Sequence, residues 1–469
     1  MTQLKKYFPS YWNILTIAFI VVYVVAAILV SLNRYWQFDA FWYELGLYNT
    51  AIFKVAHFQA PIIEQFNNRL IFADHFNPSL FLFSPVYWFT DKTEAILIAQ
   101  AVAVGVSAWI AYLIGKRLIK DNVIVFALVV SYLGFVGMQN ALYTDFHDTT
   151  VATLFVALTF WAMLKKRWTS YFIFLLISLG FKENMAGFGV GVGMFLLFKR
   201  DREIKIGLVT VVISVIYYLV VTRLVIPHFS GGVFSYNPVF ISTNPMDIIS
   251  SFFVPLSIKA RTIFLSFLTF GFAPLFSVAI WPILIEHYAE RFVMSQAATR
   301  WDLGFHYNAV LSPIFFVGSI PFYLFLIRKN IHIARGWAIA TIITVIFLHR
   351  FYLHGPLLLA HHPVFYDQTK RAKFMSDFFE AIPKDKGLVM TQNNIAAHLS
   401  TKKVVLLNLA GFDKINPSVV AVDLRQGQNA NNFFPATYDD AKSLALMLSL
   451  RSDYVAGEYN SNQLIYIKK

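Results

Sequence analysis

The chain of 469 residues has no cysteine, so neither disulfide crosslinks nor thiolate chemistry enters its fold or its function. Charge is scarce as well: Asp, Glu, Lys and Arg make up 14% of it, against roughly 25% in an ordinary soluble domain, which excludes a soluble enzyme or a disordered tail. No Walker sequence, GxSxG, HExxH or zinc-ligand spacing stands in a usable context, and no GxGxxG follows a strand. ATPase, serine hydrolase, zincin and Rossmann dinucleotide readings therefore have no support. Internal repeats and low-complexity tracts are missing too.

What is abundant is apolar and aromatic. Hydrophobic residues reach 57%, with 48 Phe, 23 Tyr and 10 Trp, the composition of an integral membrane protein whose rings fill lipid-facing surfaces and sit at headgroup depth. The net charge of +13 could be taken for affinity to nucleic acid, but the basic residues sit between apolar runs, where they report topology.

A run of about 20 apolar residues crosses a bilayer and must be helical, because lipid offers the backbone no hydrogen-bond partner. Residues 12–32 form the first run; Lys5 and Lys6 precede it without a convincing cleavage site, which predicts a retained signal anchor and a cytoplasmic amino terminus. Further runs fall at 93–115, 122–140, 149–164, 168–182, 185–198, 206–226, 306–327 and 336–353. The stretch 260–287 is read as two short crossings broken near Gly271 and Pro274, making about eleven crossings in all. With that count Lys5/Lys6, Lys116/Arg117/Lys120, Lys165/Lys166/Arg167, Lys199/Arg200/Arg202/Lys205 and Arg328/Lys329/Arg335 share one side, the cytoplasmic one. Glu44, Asp74, Asp145, Glu183 and Glu286 face the other.

Residues 1–363 thus read as a polytopic α-helical domain, with long outer segments at 33–91, 227–259 and 286–305. From 364 to 469 the pattern changes to that of an extracytoplasmic α/β domain. Val-rich strands are predicted at 387–391, 403–408, 418–424 and 453–457, with a last strand at 462–468 pairing back through Asn460 and Ser461; helices are predicted at 365–381, 393–399 and 437–450.

Chemistry-bearing residues gather on the outer side. In the first outer segment Phe41, Leu45, Tyr48 and Ile52 make an apolar stripe at helical spacing, predicting a helix in the membrane interface. Glu44 flanks the stripe at headgroup depth, and Asp39 stands at the helix start, where it can be an N-cap. Asp74/His75 and Asp145/His147 are acid–histidine pairs that could bind a divalent cation (Mg or Mn), orient a phosphate, or act as base and orienter, or could be plain structural hydrogen bonds. Lys182 and Glu183 interrupt two apolar runs, a costly place for charge, and Lys182 is a natural phosphate partner. Glu286/His287/Tyr288 and His306/Tyr307 stand at outer helix ends; His361 and His362 read as linker.

The strings ELG (Glu44–Gly46), DHFNP (Asp74–Pro78), DFH (Asp145–His147), KEN (Lys182–Asn184) and HY (His306–Tyr307), in this order, resemble a prokaryotic family of polytopic membrane proteins of unknown function. The tail IPKDKGLVMTQNNIAAHLSTKKVVLL, Ile382 to Leu407, resembles that family too. Glu44 stands where the family usually has Asp, and Asn184 where it often has Asp. The family is similar in architecture to the GT-C glycosyltransferases, which take a sugar from a polyprenyl phosphate and pass it to a protein, lipid or glycan. The resemblance implies an inverting transfer of that kind in the cell membrane. Glu44, with Asp39, Asp74 and Asp145 as further carboxylates, would supply the base; His75, His147, Lys182, Glu183, His306 and Tyr307 would hold the substrate; whether a metal takes part is left open. A transporter or lipid flippase, and a non-catalytic membrane assembly protein, are the alternatives.

Overall fold

The computed structural model describes residues 11–199, 201–232, 234, 244–293, 298–460 and 462–469; Lys5, Lys6, Arg200 and Ser461 lie outside the described residues. The chain is mostly helical, and its contacts divide it into two compact units. The first comprises Met1–Val30, Asp74–Ser79 and Gln100–His361; the second comprises Ser31–Ala73, Leu80–Ala99 and His362–Lys469.

Among the described residues five helices are long and apolar enough to cross a membrane: Tyr11–Trp36, Glu94–Leu118, Ile204–Ser230, Leu311–Lys329 and Ile331–Tyr352. Two bent pairs raise the number to seven, Asn122–Gly134 with Val136–Tyr143 at 44° and Pro245–Phe253 with Leu256–Thr269 at 66°. The expected eleven crossings exceed this. Asp148–Leu164, Trp168–Leu179 and Met185–Phe198, read from the sequence as crossings, have 17, 12 and 14 residues. At about 1.5 Å per residue even the longest falls short of a hydrocarbon core about 30 Å thick. The predicted break near Gly271 is present: Gly271 and Phe272 take positive φ after Leu256–Thr269, and a new helix, Trp281–Phe292, starts with a proline in its first turn. In the first unit, Arg335 pairs with Asp121 at 2.8 Å, and Asp121 also caps Asn122–Gly134 through the Val123 and Ile124 amides. The turn after the basic cluster 116–120 and the start of Ile331–Phe347 therefore lie at the same end of the unit.

The second unit is built on a five-stranded sheet in the order Val404–Leu406, Val389–Thr391, Val419–Asp423, Gln463–Lys468, Tyr454–Asn460. The first three strands are parallel and the last two antiparallel to their neighbours. Val419–Asp423 is buried at every position, as a strand covered on both faces must be. Val420, Val422, Leu444, Leu448 and Tyr466 form its core, and the helix Tyr438–Ser449 that supplies two of them starts at a Thr437/Asp440 capping box.

Ser31–Ala73 and Leu80–Ala99, most of the first long segment, belong to this second unit. Gln37 Nε2 donates to the Phe365 carbonyl at 2.8 Å and to Thr369 Oγ1 at 2.9 Å, and the Leu406 amide donates to Gln65 Oε1 at 2.9 Å. One expectation fails here. Phe41, Leu45, Tyr48 and Ile52 do not present a stripe to lipid but are all buried in the protein. A π-helical turn, Trp42–Gly46, precedes the α-helix Leu47–Ala56, and its wider winding breaks the 100° spacing on which the stripe rests.

Candidate functional site

Three residues separate Asp74 from Pro78, and the structure shows what holds the segment. In the first unit Ser79 donates from its amide to the Gly180 carbonyl at 2.9 Å and from its hydroxyl to the Ile177 carbonyl at 2.7 Å. Glu183 completes the dock: one carboxylate oxygen meets His75 Nδ1 at 2.7 Å and the other accepts from the Phe76 amide at 3.2 Å. The DHFNP and KEN strings are thus two sides of one contact. Burial opposes the charge on Glu183, but His75 and Lys182 outweigh it and hold the carboxyl below its usual range.

Lys182, beside it, lies 4.0 Å from the wholly buried carboxylate of Asp148, the first residue of Asp148–Leu164. Burial works against its charge too, yet Asp148 and Glu183 prevail and keep the ammonium protonated above its ordinary value. The turn ahead of Asp148 is clamped by Gln100, whose Nε2 donates to the Asp145 carbonyl at 2.7 Å and whose Oε1 accepts from the His147 amide at 2.8 Å. Asp145 pays for this turn with φ of 102°, in the region that non-glycine residues seldom adopt. His147 stacks on His306, ring centroids 3.4 Å apart. Burial first, and Lys182 after it, push His147 down to about 3; burial and His147 lower His306 as well. Both rings are therefore neutral, the form that ligates a metal, and imidazoles suit softer ions better than Mg or Mn.

These groups border a cavity of about 450 Å³ within the first unit. His75, Lys182, Glu183 and Tyr307, all singled out by the sequence, line it. So do four charged residues that sequence reasoning left without a role: Glu286, Glu290, Arg291 and Arg300. Glu286 and Glu290 stand one turn apart on Trp281–Phe292, a spacing legible in IEHYAERF. Gly187 makes room for Glu286, since a Cβ there would fall 1.7 Å from its carboxylate oxygen. Burial, then the neighbouring Glu290, raises the Glu286 carboxyl well above its usual range, so it keeps a proton near neutrality. Glu290 accepts from Asn184 Nδ2 at 3.0 Å, which gives the Asn of KEN a hydrogen-bonding role.

Arg291 is a buried cation of this lining. It is 4% exposed, it donates from Nε to His287 Nε2 at 3.0 Å, and among the described residues it has no carboxylate within ion-pair distance. Arg291 and Arg300 both approach the Tyr307 ring, at 5.2 and 5.7 Å from its centroid. The lining also has apolar residues: Val190, Val215, Leu219 and Phe234. Val215 and Leu219 belong to the candidate span Ile204–Ser230, whose other apolar residues, Leu208, Val212 and Ile216 among them, are largely exposed. A pocket lined by cations and by apolar residues of a candidate span offers chemistry suited to an anionic head on an apolar tail.

The remaining sequence candidates are placed as follows. Asp74 stands 3.9 Å from His75 Nε2, so the ring is flanked by carboxylates on both nitrogens, as a structurally fixed imidazole is. Asp39 and Glu44 belong to the second unit. Arg34 grips Asp39 with Nε at 3.0 Å and Nη2 at 2.9 Å from one carboxylate oxygen, which gives Asp39 a structural task at the end of Tyr11–Trp36. Glu44 is half-buried in the π-helical turn, between the buried Trp42 and Leu45.

No curated protein matches the chain. One family does, that described as "Predicted membrane protein (DUF2079)", over residues 34–441, a stretch that takes in all five motifs and the three parallel strands of the sheet. By that match the chain belongs to the DUF2079 family of membrane proteins.

Proposed function

We propose that the protein is a membrane glycosyltransferase of GT-C type that takes a sugar from a polyprenyl-phosphate-linked donor and passes it, with inversion, to a glycan, lipid or protein acceptor. The observation that carries this reading is the cavity of the first unit, whose lining includes both the cations Lys182, Arg291 and Arg300 and the apolar residues Val190, Val215 and Leu219. A donor of this class has both halves of the matching chemistry, a phosphate and a long apolar tail.

In this reading the reaction is one displacement. The acceptor oxygen bonds to the anomeric carbon as the bond from that carbon to the phosphate oxygen breaks, and the bonding pair leaves with the phosphate. Lys182, Arg291 and Arg300 offset the charge that develops there, an effect worth most in a site shielded from water. The acceptor proton goes to a carboxylate, assigned to Glu44. The amino terminus is cytoplasmic and the sheet-bearing tail extracytoplasmic, as the one-sided grouping of Lys and Arg suggests.

The test uses the purified full chain in proteoliposomes with polyprenyl phosphates carrying single radiolabelled sugars and an envelope fraction as acceptor. Label should move to the acceptor with release of polyprenyl phosphate, and Lys182→Met should abolish the transfer. Movement of intact donor across the bilayer without cleavage would make the protein a transporter.

A further inference from the structure

The turn that carries Glu44 closes on Phe41, whose carbonyl accepts from the Glu44 and Gly46 amides at 3.3 Å, but its first two amides are held from far along the chain. Its N-cap residue, Phe41, is extended and offers no side-chain acceptor, so the first amides of the π-helix Trp42–Gly46 need partners from elsewhere. Both find the same atom. Asn393 Oδ1 accepts from the Trp42 amide at 2.9 Å and from the Tyr43 amide at 3.2 Å. Asn393 opens the helix Asn393–His398, directly after the central parallel strand Val389–Thr391, and is 1% exposed.

Its amide is fixed in one sense. Nδ2 donates to the Asn431 carbonyl at 3.0 Å, so a flipped side chain would set donor against donor and acceptor against acceptor on both sides. Farther along, Ser400 holds the following helix by accepting from Asn49 Nδ2 at 2.8 Å through its hydroxyl and from Thr50 Oγ1 at 2.8 Å through its carbonyl. The turn itself tolerates only glycine at its end: a Cβ on Gly46 would stand 2.5 Å from the Trp42 ring. Trp42 and Leu45 are thereby locked inside, and Tyr43 and Glu44 are the residues of the turn left partly exposed.

We propose that Asn393 is a positioning residue for Glu44: by capping the π-helical turn from the far end of the chain, it sets the direction in which the Glu44 carboxylate projects. The tail then serves the chemistry although it supplies no reacting group. This assignment rests on the reading of Glu44 as the base, but the cap itself can be tested without turnover. In Asn393→Leu, close in size but without an acceptor, backbone hydrogen exchange over 41–46 should quicken by about tenfold or more in the full chain in nanodiscs. Because the chain lacks cysteine, Glu44→Cys gives a single thiol, and its maleimide labelling rate should change by at least about threefold when Asn393→Leu is added. Asn393→Asp, which keeps an oxygen facing both amides but meets the Asn431 carbonyl only when protonated, should restore both readouts in part, and more fully below neutral pH. Unchanged exchange of Val419–Asp423 would show that the sheet is intact; should Asn393→Leu unfold it, Asn393→Ser, whose oxygen stops short of the two amides, takes its place.

In the sugar-transfer assay Asn393→Leu should lower kcat about tenfold or more with KM within about twofold, and Asn393→Asp should recover part of it. Exchange and labelling that stay at the wild-type rate without an acceptor at 393, or an Asp variant that restores neither, would overturn the proposal. Normal turnover in Glu44→Gln with the exchange results as expected would instead remove the base assignment and leave the cap standing.

Discussion

Glu183→Ala is the perturbation whose size the structure fixes best. The carboxylate is buried, and it satisfies both His75 Nδ1 and the Phe76 amide. Hydrogen bonds to a charged group contribute about 1.5–3 kcal/mol each, and breaking a buried ion pair from one side costs about 3–5 kcal/mol. Ser79 still anchors the segment through Gly180 and Ile177, so the loss is local, and about 3 kcal/mol is the fitting figure. At about 1.4 kcal/mol per tenfold, the segment 74–79 should exchange its amide hydrogens about a hundredfold faster than in the wild-type protein. Hydrogen-exchange mass spectrometry of the full chain in nanodiscs reads this directly, with Ile331–Phe347 as the internal reference. An exchange rate within about threefold of wild type would refute the reasoning, because it would mean that Glu183 does not hold the segment.

Lys182→Met should weaken binding of a polyprenyl phosphate by about tenfold or more, and Lys182→Arg should restore part of it, measured by native mass spectrometry of the reconstituted protein. Raising the pH from neutral into the alkaline range should also weaken binding: Glu286, facing Glu290, Arg291 and the main chain at Gly187, loses its proton and adds a negative charge to the cavity that Lys182, Glu183, Arg300 and Tyr307 share, and Glu286→Gln should flatten that profile. Sugar transfer should survive exhaustive chelation with EDTA, since Lys182, Arg291 and Arg300 supply the positive charge that a metal would otherwise bring; abolished and metal-restored turnover would assign that part to an ion. Asp39→Asn should lower thermal stability while leaving kcat within about twofold, as expected of a carboxylate spent on Arg34.

The sequence is legible wherever one local rule decides the outcome. The strand pattern of the tail comes through to within one to three residues, as at Val419–Asp423 against the predicted 418–424, because buried parallel strands read as unbroken Val-rich runs. The break near Gly271 is legible for a similar reason, a glycine and a proline in one short stretch. The short helices from Asp148 to Phe198 are harder, since an apolar helix packed on protein and one facing lipid share a composition and differ mainly in length. The stripe at 41–52 misleads because it presumes an α-helix from Phe41 onward, and the acceptor that winds the start as a π-turn stands at residue 393. Lys182 and Glu183 are found in advance through charges placed where charge is costly, His75 through its pairing with Asp74, and Tyr307 only with the family resemblance. Arg291 and Arg300 are not, since in a polar outer segment nothing local separates a cation that lines a cavity from one in water.

The central claim is that the cavity beside Lys182 takes a lipid phosphate, and photo-crosslinking tests it most directly. A polyprenyl phosphate with a photoreactive group a few carbons from its head, irradiated with the full chain in nanodiscs, should label peptides within Met185–Phe198 and Ile204–Val220. Unlabelled polyprenyl phosphate should compete with it, and Lys182→Met should remove most of the label. Label confined to other helices, or label in these two that persists undiminished in Lys182→Met, would contradict the account.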